Sequence, residues 1–388
     1  MNLLLQDARI VLPDRVVEHA DLFIDDSRIA NISESSSNEP LAANATVNLR
    51  GLTLFPGFID LHIHGAVGVD TMTAAAADLR KVSKFLATQG VTAWLPTLVP
   101  APATDYERAT QAITEATSFT GGACILGVHY EGPFVNSAQC GALRSQFFRS
   151  YSSANDLNDL PLPGDSAKKM ITVAPEIDGG IALINELHRR GWIVSIGHTR
   201  ASLELLDEAL AAGARHLTHF MNAMPPLHHR SPGSVGWGLS RDEVSCDFIA
   251  DGIHLDREVL GMLLKLKSAE RLTLISDAIA AAGLGDGSYK IWGETITVKD
   301  GRTANERGAI AGSVITMLDA VRMMLSLGSS ETDVATMAAA SPAKLLRMDD
   351  ECGSIAVGKR ADLVALDADR NLALTMIAGE IVEGKSEK

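Results

Sequence analysis

The sequence predicts an α/β fold: a (β/α)8 barrel with a small β-sandwich domain built from both chain ends. Three observations predict it. From Phe58 onward, eight short apolar runs are interspersed with helical stretches, the pattern of a parallel sheet. The two ends of the chain read as β-strands instead. A histidine or a carboxylate also stands at the end of run after run, where a parallel barrel carries its chemistry.

The small domain takes residues 1–54 and 351–388, and the barrel takes 55–350. The opening strands are Asn2–Val11, Asp21–Asp25 and Arg28–Ser33, with Asp25-Asp26-Ser27 as a turn. Ser33–Pro40 reads as a polar loop, and Thr46–Leu54 leads into the turn signal Pro56-Gly57. The barrel strands are Phe58–His64, Thr92–Leu98, Ile125–Tyr130, Ile171–Ala174, Ile193–Ile196, Arg215–Thr218, Ser245–Ala250 and Leu272–Ser276. Helices are expected at Ala74–Thr88, Asp105–Thr117, Gly180–Arg190, Ser202–Ala212, Arg257–Lys267 and Ile315–Leu327. An insertion, Gly283–Gly312, precedes the last of these. It reads as a β-hairpin, Tyr289–Val298, turning at Lys299-Asp300-Gly301. A helical segment, Glu331–Arg347, follows, and the run to Leu366 turns β-like again.

Composition removes several function classes. The 388 residues carry a formal net charge of −14, which argues against a nucleic-acid binder. An anionic small substrate stays open if positive groups are concentrated locally. The first residues lack the basic region and apolar length of a signal peptide. No apolar run is long enough to span a membrane. Cys124, Cys140, Cys246 and Cys352 are scattered without a Cys-x-x-Cys, so a reduced cytoplasmic protein is expected.

In the first barrel strand, Ile59, Leu61 and Ile63 alternate with Asp60, His62 and His64. Strand side chains alternate between faces, so His62 and His64 share one, and two imidazoles on one face can bind one ion. The strand ends that follow carry Glu131, His198, His219, His254 and Asp277. Imidazoles and carboxylates suit zinc, iron and similar ions, so a catalytic metal site is expected.

Phe55-Pro-Gly-Phe-Ile-Asp-Leu-His-Ile-His-Gly65 resembles the first-strand signature of the amidohydrolase superfamily. His129-Tyr-Glu-Gly-Pro-Phe134, Gly197-His-Thr199, Thr218-His-Phe-Met-Asn-Ala-Met224, Ala250-Asp-Gly-Ile-His-Leu-Asp256 and Ile275-Ser-Asp-Ala278 resemble its N-acetylglucosamine-6-phosphate deacetylases. The resemblance continues to Gly358-Lys-Arg-Ala-Asp362, nearly the whole chain. It implies hydrolysis of the acetamide of a sugar phosphate, with two divalent ions, zinc or iron, as cofactors. Glu131 would bridge the ions, His198 and His219 would share one, and His62 and His64 would hold the other. Asp277 would be the catalytic acid and base. Asn222, Ala223, Arg230 and His254 would bind the sugar phosphate. Ala142, with Ala311 and Gly312 in Ile310–Ser313, would line the pocket. A homodimer is implied, in which a neighbour helps close the phosphate site.

Elementary chemistry agrees with those roles. An amide is a poor electrophile with a poor leaving group, so hydrolysis needs a polarised carbonyl and an activated water. A carboxylate must take the water's proton and return it to the nitrogen. The planar fork of Arg230 suits a phosphate. One position departs from the family, which carries histidine or glutamine after Gly-Ala in the loop following the bridging glutamate. Here Leu143 stands after Gly141-Ala142 and cannot donate a hydrogen bond, leaving the ions, Arg144 or Gln146 to stabilise the carbonyl oxygen. The competing substrates are N-acetylgalactosamine 6-phosphate and N-acyl amino acids. A cyclic-amide hydrolase would carry a carboxylated lysine on the fourth strand, and Ile171–Glu176 has none. A non-catalytic metal-binding relative should have lost ligands, and none is missing.

Overall fold

The computed structural model describes residues 2–34 and 43–384. The polar loop expected at Ser33–Pro40 lies outside them from residue 35 onward; Ser33 itself ends up in the strand Arg28–Glu34.

Eight parallel strands form the barrel: Phe58–Ile63, Val91–Leu98, Gly127–Glu131, Lys168–Val173, Ile193–Ile196, His216–Leu217, Ser245–Ile249 and Leu272–Ile275. Each pairs with the next in sequence order. Backbone bonds close the ring: Asp277 donates to the His62 carbonyl at 2.9 Å, and His64 donates to the Ala278 carbonyl at 2.8 Å. Phe58–Ile63 and Val91–Leu98 are buried along their whole length, as strands covered on both faces must be. The outer helices turn one apolar stripe inward, as Leu79, Val82 and Leu86 do from Ala76–Ala87. Local chemistry sets their ends. Ser202 accepts from the Leu205 N–H to start Leu203–Ala212, and Asp256 accepts from Glu258 to start Arg257–Leu266.

Both chain ends meet in one flanking eight-stranded sheet. Thr53–Pro56 runs parallel to Asn2–Val11 on one side and antiparallel to Leu363–Leu366 on the other. The sheet wraps its own core, including Leu5, Ile10, Leu22, Ile24, Leu363 and Met376.

Several sequence expectations shift. The strand expected at Asp21–Asp25 starts at Val16, because it pairs along nearly all of Asn2–Val11. The third barrel strand takes in Glu131, and Cys124–Ile125 before it is a separate short strand. The sixth strand keeps only His216–Leu217, since the chain turns away at His219. A helix at Gly233–Leu239 was not expected from its glycine-rich sequence; burial of Val235 and Trp237 overrides weak propensity. Glu331–Arg347 breaks into Glu331–Ala335, a π turn at Thr336–Ala340, and Ser341–Leu345. In the insertion, Tyr289–Val298 is two strands, Gly287–Ile291 and Glu294–Lys299, turning at Trp292-Gly293. The turn at Asp300-Gly301 instead leads to a third strand, Arg302–Ala304.

Candidate active site

The mouth of the barrel is built by strands that end abruptly. His198 (φ 49°), His219 (φ 31°) and Asp277 (φ 50°) all sit in the left-handed region. That conformation disfavours any side chain with a Cβ, by about 1–2 kcal/mol per residue. Here the surroundings enforce it. The buried Asp247 carboxylate accepts the His219 backbone N–H, and its carbonyl accepts from Phe220 at 2.8 Å. Asp277 is gripped by its own N–H on His62 and by its carbonyl, which accepts from Ser313 at 2.8 Å. Gly312 (φ 55°) makes that approach feasible, because a Cβ there would lie 2.8 Å from the Asp277 carbonyl oxygen.

The side chains converge on two adjoining clusters, His62–His64–Glu131 and Glu131–His198–His219, all buried. Glu131 Oε1 lies 2.9 Å from His198 Nε2 and 3.0 Å from His219 Nε2, while Oε2 lies 3.3 Å from His64 Nε2. The two pairs of ring nitrogens are themselves close, His62 to His64 at 3.1 Å and His198 to His219 at 3.0 Å. Asp277 Oδ1 stands 3.3 Å from His64 Nε2 and 3.6 Å from His62 Nε2.

This crowding fits metal ions. His198 donates its Nδ1–H to the Gln139 carbonyl at 2.7 Å, so in the neutral ring Nε2 carries a lone pair aimed at a carboxylate. Two acceptors at that distance need a cation between them. The Nδ1 atoms of His62, His64 and His219 are buried without a hydrogen-bond partner, so all three rings are committed through Nε2. In the ion-free chain, protons take that place. Burial opposes charge on His64, but hydrogen bonds to Asp277 and Glu131 outweigh it and raise its pKa to about 10. His219 rises to about 9 by the same contest, with Glu131 dominant. Burial works against charge on Glu131 and Asp277, yet the surrounding imidazoles hold both below the ordinary carboxylate range.

A cavity of about 300 Å3 opens above these groups. Of the residues singled out in the sequence, His64, Glu131, Ala142, His198, His219, Asn222, Ala223, His254, Asp277 and Gly312 line it. His254 is oriented by Asp251, whose carboxylate lies 2.6 Å from Nδ1. His62 lies beneath, fully buried. Ala311 does not face the cavity: its side chain packs with Ile279, Ile291, Ile296 and Val298 under the insertion. Arg230 is not brought to it either; it is exposed on its loop, 2.9 Å from His229. Arg144 and Gln146, the expected substitutes for a donor at Leu143, are both outside the lining, and Arg144 packs over Phe147.

Sequence reasoning missed three contributors. Gln139 acts through its backbone carbonyl, which leaves no residue signature, and the Asp247 carboxylate acts on the His219 backbone N–H, a partner that leaves none either. Trp292 lies at the tip of the insertion, with its ring edge-on to His64 at 5.1 Å. Its signal was a bulky residue before glycine at the centre of a hairpin.

Residues 53–382 match the amidohydrolase family. The chain is 36% identical over 389 residues to an N-acetylglucosamine-6-phosphate deacetylase of Bacillus subtilis, covering 98% of this chain and 97% of that one. It is 34% identical to an N-acetylgalactosamine-6-phosphate deacetylase of Escherichia coli O157:H7, with 98% and 99% covered. A solved N-acetylglucosamine-6-phosphate deacetylase from Thermotoga maritima superposes with a TM-score of 0.87 at 34% identity, covering 98% of this chain and all of that one. With that extent of match, the chain belongs to the amidohydrolase family and is a hydrolase of a carbon–nitrogen amide bond.

Proposed function

We propose that the chain hydrolyses the acetamide of N-acetylglucosamine 6-phosphate to glucosamine 6-phosphate and acetate. The observation that carries the reading is Glu131, shared by two imidazole pairs beside an ionised Asp277 in one cavity. The substrate is supported by the deacetylase relatives, above all that of Bacillus subtilis. The 6-phosphate of the galactose epimer is the second reading, supported by the relative from Escherichia coli.

Two divalent ions, zinc or iron, would be held by His62, His64 and Glu131 and by Glu131, His198 and His219. Bound there, they supply an acidified water and a polarised carbonyl. Asp277, ionised before substrate arrives, removes a proton from the water as its oxygen bonds to the carbonyl carbon. It then delivers that proton to the nitrogen as the carbon–nitrogen bond breaks, so the amine leaves neutral and the acetyl group departs as acetic acid, which releases its remaining proton to solvent to become acetate. Asn222, Ala223 and His254 hold the sugar side of the substrate. Arg230 would bind the phosphate only from a neighbouring subunit of a homodimer, since within this chain it is exposed outside the cavity. The enzyme is cytoplasmic, a reading supported by four unpaired cysteines; no described helix is long and apolar enough to cross a membrane.

Acetate release from N-acetylglucosamine 6-phosphate, its galacto epimer and unphosphorylated N-acetylglucosamine tests the reading. The gluco 6-phosphate should have the highest kcat/KM. Preference for the galacto epimer would install the second reading, and inertness towards both phosphates would refute the proposal.

A further inference from the structure

We infer that Leu143, Trp292 and Ile310 form an acyl subsite, and that the chain also hydrolyses the N-propionyl and N-butyryl amides of glucosamine 6-phosphate. The inference rests on the sugar-phosphate reading above and extends it to the other side of the amide.

The cavity lining carries two kinds of side chain. Asn222 and His254 bring polar atoms from the loops after the sixth and seventh strands. Leu143 and Ile310, from the loop after the third strand and from the insertion, offer only carbon beyond the backbone. Trp292 joins them, its ring against His64 at 5.1 Å with the planes at 84°. The indole nitrogen is buried without a hydrogen bond. It lies beside Asp70, outside the lining, whose carboxyl burial pushes above its ordinary pKa despite the nearby indole. Besides its oxygen, an amide carbon carries the nitrogen and the acyl chain. With the carbon held beside His64 and Asp277 and the sugar on Asn222 and His254, the acyl chain is left to Trp292, which stands against His64, and to Leu143 and Ile310.

The backbone gives a second, independent sign. Trp292 (φ 55°) and Gly293 (φ 81°) are the two turn residues between the paired Ile291 and Glu294. Such a turn takes asparagine, aspartate or glycine at its first position, and a bulky residue there is an outlier. Strain of this kind persists where the surroundings over-determine it, and it gathers at ligand-binding sites. Beneath the tip, Ile291, Ile296 and Val298 pack with Ile279 and Ala311, so the hairpin is anchored to the barrel. An anchored tip that spends a strained residue on reaching His64 serves the contact made there.

An apolar wall rewards added carbon. Each methylene it covers should raise kcat/KM by roughly fourfold at most. The experiment measures amine release from the N-acetyl, N-propionyl and N-butyryl amides of glucosamine 6-phosphate by metal-replete wild type, Trp292→Ala, Trp292→Phe and Leu143→Ala. For wild type, the propionyl amide should equal the acetyl amide or exceed it by up to roughly fourfold. Trp292→Ala and Leu143→Ala, by opening the wall, should shift the optimum towards the butyryl amide, and Trp292→Phe, by keeping a ring there, should retain the wild-type order of acyl preference. If one alanine variant does not fold, the other reads the same wall. Acetyl hydrolysis with the propionyl amide more than about tenfold slower, or an unchanged acyl ratio in the alanine variants, overturns the subsite alone. No hydrolysis of any of the three amides overturns the sugar-phosphate reading and the subsite with it.

Discussion

The barrel has a cavity at each end, and the two are almost equal in size, about 310 Å3 where the strands begin and about 300 Å3 where they finish. Their chemistry differs. The first is lined by Arg215, Arg271, Lys344 and Arg347, with Glu243 and Glu270 beside them, all on the surface or half-buried. Water solvates such groups, so their proximity costs little. In the second, Glu131, His198 and His219 are each 4% exposed and Asp277 7%. Buried ionisable groups are expensive unless something neutralises them. The backbone differs as well: three of the chemical residues at the mouth have positive φ, against Arg347 alone among non-glycine residues lining the other cavity. Size therefore does not mark the site; buried acceptors driven together, on strained strand ends, do.

The sharpest way to break this contrast is Asp277→Asn. It should keep the fold and most of the bound metal but lower kcat by at least ~10²–10⁴, the usual scale for a positioned acid and base. Near-wild-type turnover in a metal-replete variant would remove Asp277 from the chemistry. The double variant His62→Ala/His64→Ala comes next. With no side-chain donor at Leu143, loss of the second ion should cost about 10²–10³ in kcat, comparable with loss of an oxyanion donor. Adding Leu143→His should restore part of it; a double variant that loses its ion yet keeps its kcat would show that carbonyl activation lies elsewhere. Arg230→Ala should weaken kcat/KM for the 6-phosphorylated sugar by roughly 10- to 150-fold, the span of one charge-assisted hydrogen bond, and barely change the unphosphorylated sugar. Equal losses on both would end its phosphate role.

The smallest effect concerns protons. In the ion-free chain, His64 and His219 have pKa values raised to about 10 and about 9, so both are protonated at neutral pH and each must lose its proton to bind an ion. Metal affinity should therefore rise with pH, by up to about tenfold per unit for each displaced proton, and level off above the higher value. Chelator competition between pH 6 and 9 measures it. A flat profile would mean that the rings are already neutral, against the assigned balance of burial and carboxylate charge.

Much of this site was legible because its chemistry is written in residue types at strand ends. The alternation Asp60-Leu61-His62-Ile63-His64 gives a strand period, and Glu131, His198, His219 and Asp277 close four later strands. A fully buried strand needs a continuous apolar run with turn signals beside it, so the barrel was readable from patterning alone. What escaped depended on neighbours far along the chain. The helix Gly233–Leu239 exists because Trp237 and Val235 are buried, which local propensity opposes. The turn at Trp292-Gly293 was missed because Asp300-Gly301, eight residues on, carries the stronger turn signal. Arg230 has the right chemistry for phosphate, but the fold leaves its loop exposed outside the cavity, a placement its residue type does not specify.

The most direct measurement is elemental analysis of protein purified without chelator, alongside kcat on N-acetylglucosamine 6-phosphate. Two imidazole pairs sharing Glu131 predict close to two divalent ions per chain, falling to about one in the His62→Ala/His64→Ala variant together with kcat. A firm value near one ion, with full activity and no gain on adding metal, would contradict it.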